Sequence, residues 1–200
     1  MRAMIAVALG TMLAAASAAG QTASADWPCI QPRQPHLSLG QVWTGPAPDD
    51  AARAGAADPA TAALAERIAQ RRMPMDQAEA EIERFARGRD AAALTALMLA
   101  VFNDMDAYRT RLLDGIARYG RKQVALADRV RARRDRMALL QAAGKPDFDA
   151  IDAEEKALEL DERIFNDRRQ SLGYVCESPV IVEQRLFALG RAIAAHLPTP

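Results

Sequence analysis

The stretch DAAALTALMLAVFNDMDAYRTRLLDGIARYGRKQVALADRVRARRDRMALLQAA, residues 90–143, decides the fold. Its apolar residues recur at Leu94, Met98, Val101, Met105, Tyr108, Leu112, Ile116, Tyr119, Leu126, Val130, Met137 and Leu140. Steps of three and four alternate, which predicts a helix carrying a coiled-coil seam rather than a strand. Uninterrupted, it would run ~80 Å. Gly115 and Gly120 are its weak points, each costing about 1 kcal/mol relative to Ala, so a bend or break is expected to fall there.

Gly144-Lys145-Pro146-Asp147 then supplies a helix end, a proline and a new N-cap, so the chain should turn back. The return helix is predicted over 147–173, with Phe148, Ile151, Leu158, Phe165 and Leu172 on its seam. Ser178-Pro179 reads as another N-cap with first-turn proline and predicts a separate last helix over 179–197. Upstream, Asp58-Pro59 opens a helix over 59–72. Met73-Pro74-Met75 breaks the chain, and a short helix follows over 75–87 with Gly88 past its end.

Charge tests the predicted reversal. Arg129, Arg131, Arg133, Arg134 and Arg136 look like a polyanion site when taken alone. If the chain turns near Lys145, residues whose numbers sum to about 290 become neighbours. Arg136 then meets Glu154, Arg131 meets Glu159 and Arg129 meets Asp161, with Glu155 and Glu162 beside them. The same register sets Val130 near Leu160, Leu189 near Val101 and Ile193 near Leu97. A basic block mirrored by an acidic one favours intramolecular pairing that fixes register over nucleic-acid binding. The whole chain agrees, with 26 Lys+Arg against 26 Asp+Glu in 200 residues.

Residues 1–25 read as a cleavable signal peptide: Arg2, an apolar run over 3–19, and Ala23-Ser24-Ala25 before Asp26. The run is short of the ~20 residues of a spanning helix, and no second long apolar run follows. Cys29 lacks the small and apolar residues before it that a lipoprotein acceptor needs. Export to the periplasm or outside the cell is therefore expected, with no transmembrane segment left after cleavage. An oxidising compartment makes an internal Cys29–Cys176 disulfide the default, two free thiols or an intermolecular bond being the alternatives.

Residues 26–58 form a proline-rich arm and linker ahead of the helical domain, 59–200. Pro28, Pro32, Pro35, Pro46 and Pro48 argue against helix in the arm. Trp27 and Trp43 need burial and are candidates for arm packing or interaction; residues 49–57 read as a linker of Ala, Gly and Asp. The fold class is all-α: a helical bundle with a long antiparallel coiled-coil-like hairpin and a proline-rich N-terminal arm.

Little in the chain points to chemistry. His36 and His196 lack metal-site spacing. Met98 and Met105 fit the core, and Met73 and Met75 form the one close thioether pair, without Cys or His beside them. No Glu-x-x-His pair, nucleophile elbow or phosphate loop occurs. No catalytic residue, metal or cofactor is assigned.

The segments Asp26-Trp27-Pro28-Cys29 and Val42-Trp43-Thr44-Gly45-Pro46 resemble the start of a set of uncharacterised exported bacterial helical proteins. Tyr174-Val175-Cys176-Glu177-Ser178-Pro179-Val180 and Glu183-Gln184-Arg185-Leu186-Phe187 resemble their end. The resemblance covers most of the chain after the leader and implies no activity. The leading expectation is a non-enzymatic exported scaffold or interaction protein that binds a protein partner or itself. The alternative is a periplasmic helical bundle that binds a small molecule or cofactor between helices or beneath Trp27 and Trp43. An enzyme ranks third.

Overall fold

The computed structural model describes residues 27–198, so the signal peptide expected over 1–25 lies outside the described residues. Six helices follow in chain order: α1 (Leu39–Val42), α2 (Asp50–Ala56), α3 (Pro59–Ala69), α4 (Met75–Ala86), α5 (Ala91–Gln141) and α6 (Phe148–Ala194). No strand occurs among the described residues. The protein is all-α, with α5 and α6 packed along each other as an antiparallel hairpin. No described helix is long and apolar enough to cross a membrane.

Aspartates start the helices as the sequence suggests. Asp58 accepts from Ala60 N and Thr61 N, Asp90 from Ala93 N and Asp147 from Ala150 N, each satisfying donors that an α-helix leaves orphaned. Gly88, at φ +70°, takes the left-handed conformation just past α4 that a residue with a Cβ resists.

The core lies at the base of the hairpin. Leu64, Ile68, Ala78 and Ile82 from α3 and α4 pack with Leu94, Leu97, Met98, Val101 and Met105 of α5. Val182, Leu186, Leu189 and Ile193 of α6 complete it. Met98 and Met105 are thus core fillers, and Met73 and Met75 pack against the same cluster. Arg185 lies across the end of α3 and donates twice to the Ile68 carbonyl, at 2.6 and 3.1 Å, one of the carbonyls α3 leaves free.

Four expectations need correction. The predicted helices over 147–173 and 179–197 are one helix of 47 residues, with Pro179 inside it. Ser178 does not cap; its hydroxyl donates back to Tyr174 O at 3.1 Å, as a mid-helix serine does. Pro179 has no N–H for the Val175 carbonyl, yet it is buried and the helix continues through it. Second, α5 runs unbroken for 51 residues through Gly115 and Gly120, about 75 Å at 1.5 Å per residue. Third, the linker over 49–57 is largely the helix α2. Asp49 caps it by accepting from Ala52 N at 2.7 Å, and its small residues let it lie close on α5 at Ala96. Ala is the strongest helix former, so this composition favours helix over linker. Fourth, the arm itself contains the single turn α1, where Ser38 N donates to Gln41 Oε1.

Candidate functional site

Three features stand out on this frame: a clasp that holds the arm, an ionic seam along the hairpin, and a groove between α3 and α5.

The clasp follows from proline chemistry. Pro32 and Pro35 leave the arm short of donors, so its carbonyls must find donors elsewhere. Residues Asp106, Arg109, Thr110 and Asp114 share one face of α5 and supply partners in turn. Arg33 pairs with Asp114 at 2.9 Å. Arg109 Nη1 donates to Gln34 O at 2.6 Å, and Thr110 Oγ1 donates to Pro35 O at 2.9 Å. Asp106 accepts from Leu37 N at 2.9 Å and meets His36 Nδ1 at 2.8 Å. The arm therefore runs antiparallel to α5. Arg109 is only 4% exposed and also pairs with Glu183 of α6 at 2.5 Å, so one guanidinium joins arm, α5 and α6. The Cys29–Cys176 disulfide is the second tie, with Cα atoms 5.6 Å apart.

The two tryptophans play different parts. Trp43 is buried in the core, and its Nε1 donates to Pro46 O at 2.8 Å. Trp27 is half-buried, donates to Gln31 O at 2.6 Å and carries the Arg33 guanidinium 5.9 Å from its ring centre. It edges a crevice of about 480 Å³ beneath the arm, with Leu37, Leu113, Pro179 and Phe187.

The seam of the outer hairpin is ionic. Arg129 grips Asp161 through two bonds of 2.7 and 2.6 Å. Arg133 bridges Asp161 at 2.7 Å and Glu154 at 2.9 Å, and Arg136 reaches Glu154 at 3.5 Å. Arg134 pairs with Glu162 at 2.7 Å. The mirrored register thus holds for Arg129–Asp161 and Arg136–Glu154. It fails for Arg131, which pairs with Asp128 on its own helix. Leu160 is exposed while Val130 is buried, so that apolar pair does not close either.

The Arg129 hydrogen bond, helped by Arg133, holds the Asp161 carboxyl below the usual carboxylate range, against the opposing effect of burial. A lowered folded-state value means the pairing stabilises the hairpin above the unfolded value of about 3.9. That contribution fades as pH falls from there through the folded value. Urea unfolding from pH 7 to pH 3 should show wild type losing stability in acid. Asp161→Asn should start lower at pH 7 and follow a flatter acid limb. Parallel profiles would show that Asp161 is not the group responsible.

Beyond the seam, Leu139 and Phe148 at the hairpin tip are 75% and 74% exposed. A two-helix projection has no third layer to cover them.

The groove has a volume of about 940 Å³. Alanines 62, 63 and 69 of α3 and Ala107 of α5 leave it open, over Met105 and Val182. Glu66, Asp104, Arg71, Arg72 and Arg111 surround it. Sequence reading missed it, because alanines at helical spacing read as packing rather than as space.

No protein-family model matches the chain, and no curated protein or solved structure matches it significantly.

Proposed function

We propose that this is an exported, non-enzymatic interaction protein whose outer hairpin is the working surface. One observation carries the reading: Leu139 and Phe148 stand three-quarters exposed at the tip of a hairpin whose register is already fixed by its own ion pairs. Large apolar side chains held rigidly in solvent suit docking against another helix, from a partner protein or a second copy. The disulfide suits an oxidising compartment, in keeping with the leader read from residues 1–25. The arm then acts as a brace that keeps the hairpin upright on its base.

A photo-crosslinking residue in place of Leu139, tested in the periplasm, should yield a defined adduct with a partner or with a second copy. Leu139→Asp combined with Phe148→Asp should abolish capture by a second probe at Leu160 and leave helix content unchanged. A chain that is monomeric by light scattering and gives no adduct at either position would defeat the reading.

A further inference from the structure

The crevice beneath the arm holds a charged group whose hydrogen bonding is incomplete. Arg109 is 4% exposed; its Nε donates to Glu183 at 2.5 Å and its Nη1 to the Gln34 carbonyl at 2.6 Å. Nη2 donates to no group among the described residues. Nor is it sealed in, since Gln123 Oε1 is the one enclosed side-chain atom without a partner among them. The Nη2 hydrogens therefore open on the crevice, which Arg109 lines. Arg109 and Glu183 are the only charged residues lining it among those described, and they pair with each other, so the crevice carries no net charge. Its apolar walls are Trp27 and Leu37 on the arm side and Leu113, Pro179 and Phe187 on the helix side.

We propose that this crevice binds a small neutral molecule with an apolar body and one hydrogen-bond acceptor, the acceptor being taken by Arg109 Nη2. A guanidinium only donates, so the complementary group is an acceptor such as a carbonyl oxygen. Glu183 already neutralises Arg109, so a carboxylate would bring a second anion beside Glu183 with no cation to spare, and an ammonium would meet Arg109. Water can satisfy Nη2 but leaves the apolar walls wet; a molecule with both parts satisfies the donor and dries the walls. The volume of about 480 Å³ lies within the range of small-ligand sites, roughly 300–1,000 Å³. The arm builds one side of the site, and its first residues are fastened by the Cys29–Cys176 bond, so the site depends on that bond.

The test titrates the oxidised protein with benzamide, toluene and benzoate, which share a ring and differ in the group it carries. Binding is read from the Trp27 indole N–H signal in nitrogen–proton correlation spectra, told apart from that of Trp43 through Trp43→Phe. Benzamide should move the Trp27 signal and bind at least about tenfold more tightly than toluene, the gain expected for one hydrogen bond to a charged group. Benzoate should bind more weakly than benzamide, and Glu183→Gln, which frees the Arg109 charge, should reverse that order. Replacing both cysteines by serine should abolish benzamide binding measured by titration calorimetry. No Trp27 shift at millimolar benzamide would overturn the proposal. So would equal binding of benzamide and toluene, benzoate binding as tightly as benzamide, or full benzamide affinity without the disulfide. Should Glu183→Gln lose helix content, the three-ligand comparison on the unaltered chain still decides. The result is independent of the hairpin crosslinks, which involve a different surface.

Discussion

Replacing Cys29 and Cys176 together by serine should lower stability by up to about 5 kcal/mol and free the arm before it disturbs the helices. The bond joins residues 147 apart in sequence, so it closes a loop of most of the described chain. Chain-entropy arithmetic for such a loop gives ~5 kcal/mol, an upper figure because a compact unfolded chain has less entropy to lose. The order of loss follows from what else holds each part. The base of the hairpin keeps its apolar core without the bond. Residues 33–37 keep Arg109, Thr110, Asp106 and Asp114. Residues 27–32 keep little: Trp27 bonds within the arm itself, and Ile30 is almost fully exposed. Far-UV circular dichroism should therefore change little, while Trp27 emission, isolated in a Trp43→Phe background, shifts red. Limited proteolysis with a protease of broad specificity should cut first within residues 27–32. Collapse of helix content on losing the bond would mean the disulfide holds the helices rather than the arm.

How much of this was legible in the sequence depends on whether the signal was local. Aspartate caps at Asp58, Asp90 and Asp147, and Gly88 after α4, are local chemistry and could be read directly. The hairpin register was legible because two oppositely charged blocks sit at mirrored distances from one turn, which a single chain reveals. Ser178-Pro179 misled for the opposite reason. It is a strong local stop signal, and the burial of Pro179, Val182 and Leu186 on one helix overrides it.

Arg109 was missed although it holds the clasp. The apolar seam was traced through Tyr108 and Leu112, yet the structure buries Arg109 and Leu113 and leaves Tyr108 partly exposed. Arg109 sits four residues from both Met105 and Leu113, squarely on the inner face. A charge there invites a shift of register to the nearest aromatic. Its partner Glu183 lies 74 residues away on α6, and nothing local announces the pairing. The groove was illegible in a similar way: emptiness between α3 and α5 depends on which neighbours fail to fill it, and alanine reads the same on a packed face and an open one.

The second large effect is expected at a glycine. Gly190 of α6 lies where α1 crosses, and a Cβ there would drive into the Val42 carbonyl oxygen; the next residue, Met98, would be 3.6 Å away at its Cε. Backbone cannot turn aside as a side-chain end can. Gly190→Ala should therefore push α1 outward and open the packing of Val42 and Trp43, both buried in the core. Overpacking of this kind costs typically 1–3 kcal/mol, enough to outweigh the ~1 kcal/mol by which Ala favours the helix. Two other glycines in the same pair of helices serve as controls. A Cβ at Gly115 meets only the end of Arg118 at 3.8 Å, and one at Gly173 meets nothing within 4 Å. There the helix preference acts alone, and Gly115→Ala and Gly173→Ala should each stabilise by about 0.5–1 kcal/mol. One substitution thus carries opposite signs according to whether the arm touches it. Thermal midpoints of the three variants measure the contrast, and Trp43 emission should shift red only in Gly190→Ala. A Gly190→Ala protein as stable as the two controls would mean that α1 does not rest on α6 through this contact, and the arm would then be held by its clasp alone.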